Sequence, residues 1–142
     1  MKPLVTLRLL VIAASALAAT AAQAESTLLQ GDTLREAVSG GTVYVATPIG
    51  ALPIHYAANG SMSASGPEEM VSLAGESVQS DRGKWWISGN QLCQRWQNWL
   101  ERQSFCYEMR KQRGNTVHWT RSDGQTGTAR LSRPVYRASA AE

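Results

Sequence analysis

The sequence predicts a mainly β fold: an antiparallel meander, closed into a small barrel or left as a curved sheet, with one short N-terminal helix. Three observations predict it. Short runs with period-two alternation fill the chain from Thr42 onward. Glycine-containing turn pairs separate many of them: Asn59-Gly60, Gly89-Asn90, Gly114-Asn115 and Asp123-Gly124. Alternating strands and helices, the mark of a parallel sheet, are missing from the pattern. Periodicity alone does not decide between barrel and open sheet.

Residues 1–24 read as a signal peptide. Lys2 and Arg8 precede an uncharged stretch, Leu9 to Ala19, and Ala22-Gln23-Ala24 supplies the small-x-small exit that signal peptidase accepts. The stretch is shorter than the ~20 apolar residues of a membrane span. No cysteine lies near the cleavage site to be acylated. The expected mature chain therefore begins at Glu25, carries no transmembrane anchor, and resides in the periplasm or outside the cell. Cleavage also alters the charge. The full chain has 14 basic and 11 acidic residues; losing Lys2 and Arg8 leaves 12 against 11, or +1. The remaining arginines are dispersed through the C-terminal half, not concentrated as in nucleic-acid binders, so no nucleic-acid partner is expected.

Residues 25–41 form a lead and a short helix. Glu25 to Gly31 reads as unstructured. Thr33 and Glu36 have capping-box spacing, Leu34 and Val38 share a face, and Gly40-Gly41 ends the run. Residues 42–133 form a single β domain, and 134–142 a flexible tail. Within the domain, Thr42–Thr47 and Leu52–Ala58 read as strands around a break at Pro48-Ile49-Gly50. Asn59-Gly60 is a strong hairpin turn leading into Ser61–Ser65. Gly66–Glu69 connects to a weak strand near Met70–Leu73. Asp81-Arg82-Gly83 reads as a turn before Lys84–Ser88. Gln91–Trp96, Ser104–Lys111, Thr116–Arg121 and Thr126–Ser132 complete the strands.

The two cysteines, Cys93 and Cys106, both lie in the exported part. An oxidising compartment closes such a pair into a disulfide, and its spacing is far wider than the Cys-x-x-Cys of redox centres. A structural staple of roughly 3 kcal/mol is expected. Alternation places Phe105, Tyr107 and Met109 on one side and Cys106, Glu108 and Arg110 on the other. Leu92 and Trp96 share a parity opposite Cys93 and Arg95. A Cys93–Cys106 bridge across a hairpin would then lie on the more polar face, with Leu92, Phe105, Tyr107, Val117 and Trp119 toward the core.

Catalytic constellations are not evident. His55 and His118, the two histidines, both sit in strand-like runs without a nucleophile motif beside them. Ligands at zinc spacing are missing, Glu68-Glu69 reads as a solvated pair, and Asp81 and Asp123 as turn residues. No catalytic residue, metal or cofactor is expected. The unusual feature is tryptophan: Trp85, Trp86, Trp96, Trp99 and Trp119 fall close together. Consecutive strand residues face opposite sides, so Trp85 and Trp86 cannot share one core. Trp85, Trp86, Trp96, Trp99 and Arg95 are the candidate contacts for a ligand or partner, since aromatics and arginine are enriched at hot spots.

Gly83-Lys84-Trp85, Cys93-Gln94-Arg95-Trp96, Phe105-Cys106-Tyr107 and the Asp123-Gly124 turn together resemble a recurrent type of small exported bacterial protein of unknown function. The resemblance spans Thr42 to Leu131. It implies a β-rich fold with a Cys93–Cys106 bridge and transfers no catalytic residue. The Gly-x-Trp start is also similar to that of lipocalin-like barrels, where it opens the first strand; here it lies past mid-chain. The expected function is a non-catalytic binding module of the cell envelope, taking a small apolar ligand or an envelope protein. An inhibitor of an envelope enzyme, acting through the 97–103 loop, is the alternative; an enzyme using His55 or His118 ranks third.

Overall fold

The computed structural model describes residues 26–66 and 80–133. The expected signal peptide, the Gly66–Glu69 connection beyond Gly66, the Met70–Leu73 strand and the 134–142 tail lie outside these residues. The element order is β1 (Thr27–Leu28), α1 (Gly31–Val38), β2 (Gly41–Thr47), β3 (Gly50–Tyr56), β4 (Ser61–Ser65), β5 (Ser80–Ser88), β6 (Gln91–Trp96), β7 (Ser104–Lys111), β8 (Thr116–Arg121) and β9 (Thr126–Leu131).

Each strand from β2 to β9 pairs antiparallel with its sequence neighbours, and β2 returns to pair with β9 through Val43↔Leu131, Tyr44↔Arg130 and Val45↔Ala129. The meander is thus an eight-stranded closed barrel, which leaves its eight strands without an open edge between first and last. The short β1 adds to it, pairing Leu28 with Arg110 where β6 has ended.

The alternation read from the sequence holds through the C-terminal half. Leu92, Gln94 and Trp96 of β6 share the inner face with Tyr107 and Met109 of β7 and Val117 and Trp119 of β8. Cys93 and Cys106 are register partners and are joined by a disulfide. The bridge lies on the outer row with Arg95, Glu108 and Arg110. Trp85 and Trp86 divide as the pleat requires: Trp85 is buried and Trp86 is 39% exposed.

Three local expectations are corrected. The lead is not unstructured, because Thr27–Leu28 forms β1 and Leu29 is buried, its N–H donating to the Met109 carbonyl at 2.8 Å. The capping box does not form. The helix starts at Gly31 behind Gln30, with no side-chain cap, so Thr33 lies inside the first turn. Inserting Leu29 fixes where the chain enters the helix and overrides the local signal. Finally, Asp81-Arg82-Gly83 is not a turn but part of β5.

Gly83 has a different task there. A Cβ on it would lie 2.2 Å from the Arg95 carbonyl oxygen and 2.7 Å from Met62 Cε. Only a glycine lets β5 and β6 approach this closely.

The helix closes one end of the barrel. Leu34, Ala37 and Val38, spaced on one face, are buried, and with Leu29 they pack on Tyr56, Trp85, Val117 and Leu131 in one continuous cluster. The turns after β3, β5 and β7 lie at this end. Those after β2, β6 and β8 lie at the other.

Candidate functional site

Among the described residues the end away from α1 is open. A cavity of about 680 Å³ runs from it into the barrel. Its walls are mostly apolar: Val43, Val45, Leu52, Ile54, Met109 and Ala129 from the strands, with the rings of Trp96, Trp99 and Trp119. The strands dictate this lining, because every second residue of each must point inward. Small-molecule sites are concave, largely apolar and about 300–1,000 Å³, and this cavity falls within that range.

A polar string runs along the wall. The Tyr56 hydroxyl donates to Gln94 Oε1 at 2.8 Å, and Gln94 Nε2 reaches the Tyr107 hydroxyl at 3.5 Å. Arg121, paired across the strands with Tyr107, lies 4.3 Å over the Phe105 ring and holds Asp123 through two hydrogen bonds of 2.8 and 2.6 Å. Burial pushes the Tyr56 phenol well above its ordinary pKa, with Tyr107 adding to the effect. Burial likewise raises Tyr107, against the opposing influence of Arg121. Both phenols therefore stay neutral and act as hydrogen-bonding groups rather than bases. Asp123 is held at about 2, chiefly by its hydrogen bonds to Arg121.

The rim is shaped by Asp81. Its buried carboxylate accepts the N–H groups of Asn98 at 2.9 Å, Trp99 at 2.8 Å and Arg82 at 2.8 Å, and Asn98 Nδ2 at 3.1 Å. Burial opposes the charged form, yet these donors outweigh it and hold the carboxyl below its ordinary pKa. The anchored loop then turns through three left-handed residues, Leu100, Glu101 and Arg102, with φ of 51°, 55° and 60°. Such residues are costly outside glycine and persist only where surroundings fix them. Asp81 supplies one fixing point. The Arg95 guanidinium supplies another, donating from Nε to the Arg102 carbonyl at 2.8 Å. Trp99 tucks inward against Trp96, ring centroids 4.8 Å apart, while Leu100 at the cavity mouth stays 41% exposed.

The five candidate contact residues separate into three places. Trp96 and Trp99 meet in the cavity wall. Trp85 lies nearer the closed end, its indole donating to the Ala57 carbonyl at 2.8 Å and stacking edge-on to Tyr56. Trp86 and Arg95 lie on the outer wall. His55 is exposed on the outside, and His118 stands across the ladders from Arg110 and Thr128. Sequence reasoning passed over Asp81, Gln94, Tyr56, Tyr107 and Arg121. For Gln94 a signal was present: it shares the parity of Leu92 and Trp96, a polar residue in an inward row. For Asp81 it was not, because the turn reading of Asp-Arg-Gly hid the strand.

Trp119 lies flat over Gly127, its cross-strand partner. A Cβ there would meet the indole at 2.3 Å. The ring fills the place of the missing side chain, an aromatic covering of a strand glycine. The indole N–H groups of Trp99 and Trp119 are both buried, without a hydrogen-bond partner among the described residues. Among the described residues no group of His, Cys, Asp and Glu is arranged to hold a metal, and no helix is long and apolar enough to cross a membrane. No family model matches the chain, no curated protein is significantly similar to it, and no solved structure significantly matches it.

Proposed function

We propose that this protein is a non-catalytic binding module of the cell envelope, exported to the periplasm or beyond, whose barrel holds a small, mostly apolar ligand. The cavity carries the reading: about 680 Å³ of apolar-walled space, open at one end and plugged at the other by α1. Apolar cavities of this kind exclude water and accept apolar guests. The Tyr56–Gln94–Tyr107 string offers hydroxyl and amide groups to a single polar end of the ligand. The disulfide supports an oxidising destination. The test is titration with a fluorescent apolar probe such as N-phenyl-1-naphthylamine. One saturable site is expected, lost in Val45→Trp, which fills the cavity, while circular dichroism stays unchanged. Unsaturable binding, or equal binding by the filled variant, overturns the reading.

A second reading, an inhibitor of an envelope enzyme, is favoured by the preorganised 97–103 loop. A loop already fixed in its bound shape loses little entropy on docking. Glu101→Lys alters the exposed tip away from the cavity lining. Under the inhibitor reading it changes the inhibition of an envelope peptidase or glycosidase. Under the carrier reading it leaves probe affinity intact.

A further inference from the structure

The outer wall formed by β4, β5, β6 and the 97–103 loop carries a second feature, distinct from the cavity. Arg82 and Lys84 of β5, Arg95 of β6 and Arg102 of the loop line one broad groove of about 950 Å³, together with His55 and Trp86. Among the described residues no carboxylate lines it. Lys84 and Arg95 stand directly opposite each other across the β5–β6 ladder, an arrangement that is unfavourable for like charges. On the neighbouring wall the pattern is reversed, for Arg110 is paired with Glu108 at 3.0 Å. Among the described residues neither of the two salt bridges neutralises the groove's cations.

The geometry points to this wall as a docking surface for a bilayer bearing anionic phospholipid headgroups. The charge is complementary, and cations near an anionic leaflet each add to surface binding. The large exposed ring on the wall is an indole, the side chain that settles at the headgroup level of membranes. A free anion would need an enclosed cradle of donors, whereas this groove is broad and open along one side of the barrel. Arg102 belongs to the same loop as Trp99 and Leu100, so docking by this wall brings the cavity mouth to the headgroup region. The proposal stands whether or not the cavity holds a ligand.

The experiment is flotation of the full mature chain with vesicles of phosphatidylcholine alone and of phosphatidylcholine mixed with phosphatidylglycerol. Binding is expected to the mixed vesicles alone and to fall steeply with added salt. Removing one cation should weaken partitioning about fivefold. Arg82→Glu/Lys84→Glu should therefore lose at least tenfold. Arg110→Glu/Arg113→Glu, the same charge change on other parts of the surface, should stay near wild type. Trp86→Ser should also bind measurably less. Thermal melts establish that each variant is folded. The proposal is overturned by an absence of binding to mixed vesicles, by equal losses in the two charge-reversed pairs, or by an undiminished Trp86→Ser. It is equally overturned if inorganic phosphate displaces the protein where sodium chloride of equal ionic strength does not, which would assign the wall to a soluble anion.

Discussion

The two ends of the barrel are built on opposite principles. At the helix end, Leu29, Leu34 and Val38 insert between strands, Gly40 N–H donates to the Tyr56 carbonyl at 2.6 Å, and the Trp85 indole is hydrogen-bonded. At the mouth, two buried indoles lack partners among the described residues, three consecutive residues are left-handed, and Leu100 is exposed. The first end is closely packed although its helix is uncapped, and the second breaks several local rules. Violations of local rules concentrate where a protein does something other than fold. The plugged end thus supplies the stability that allows the mouth its strained loop and its cavity.

The largest expected effect breaks the stable end. Leu34 is 0% exposed, so Leu34→Ala should cost roughly 3 kcal/mol in urea unfolding. Probe affinity of the fraction still folded should hardly change. Reduction of the Cys93–Cys106 bridge should cost about as much, roughly 3 kcal/mol, read as the shift in urea midpoint with and without reductant.

A middle-sized effect sharpens the contrast at the mouth. Asp81→Ala removes the charged acceptor of four N–H donors, a loss of roughly 1–3 kcal/mol. It should also loosen 97–103, seen as faster amide exchange at Asn98 and Trp99. The pH dependence follows with a definite sign. Because Asp81 has a lower pKa folded than unfolded, its contribution is present above the ordinary aspartate value near ~4. It is lost as pH falls through the folded value. Wild type should weaken on acidification below that point, and Asp81→Asn should show a smaller part of that slope. Exposed Asp123, held at about 2, acts in the same window, so the remaining slope of Asp81→Asn should shrink again in a double variant with Asp123→Asn.

Gly127→Ala should displace the Trp119 ring and cost about 1–3 kcal/mol as overpacking, with a change in tryptophan emission and weaker probe binding. The smallest effect concerns the outer wall. His55→Ala, at an exposed position, should fall within about 0.5 kcal/mol of wild type.

Much of the barrel was legible because its strands alternate cleanly. The limits of β6, β7 and β8 follow from turn residues and from the parity of Leu92, Tyr107 and Val117. Closure was not legible, since the Val43↔Leu131 pairing depends on total sheet twist and stagger, not on any local run. The helix end misled at Thr33 for a related reason: a tertiary insertion, Leu29, outweighed a capping signal. As for the site, the tryptophan cluster marked the right neighbourhood. Parity placed Trp96 and Trp119 inward, but it gave no place to Trp99, which lies in a loop outside any alternating run. The cationic groove was missed because Arg82, Lys84, Arg95 and Arg102 look scattered in sequence and converge only when β5 and β6 are zipped together.

The pairing of β2 with β9 joins the first and last strands of the barrel. During synthesis β2 must therefore wait, unpaired on one side, until the C-terminal strand emerges. Contacts this remote make folding slow, and the waiting edges are open to aggregation. A chain cut short before Thr126 should leave β2 and β8 each bare on one side, an unfinished sheet that chaperones and proteases would meet as a client.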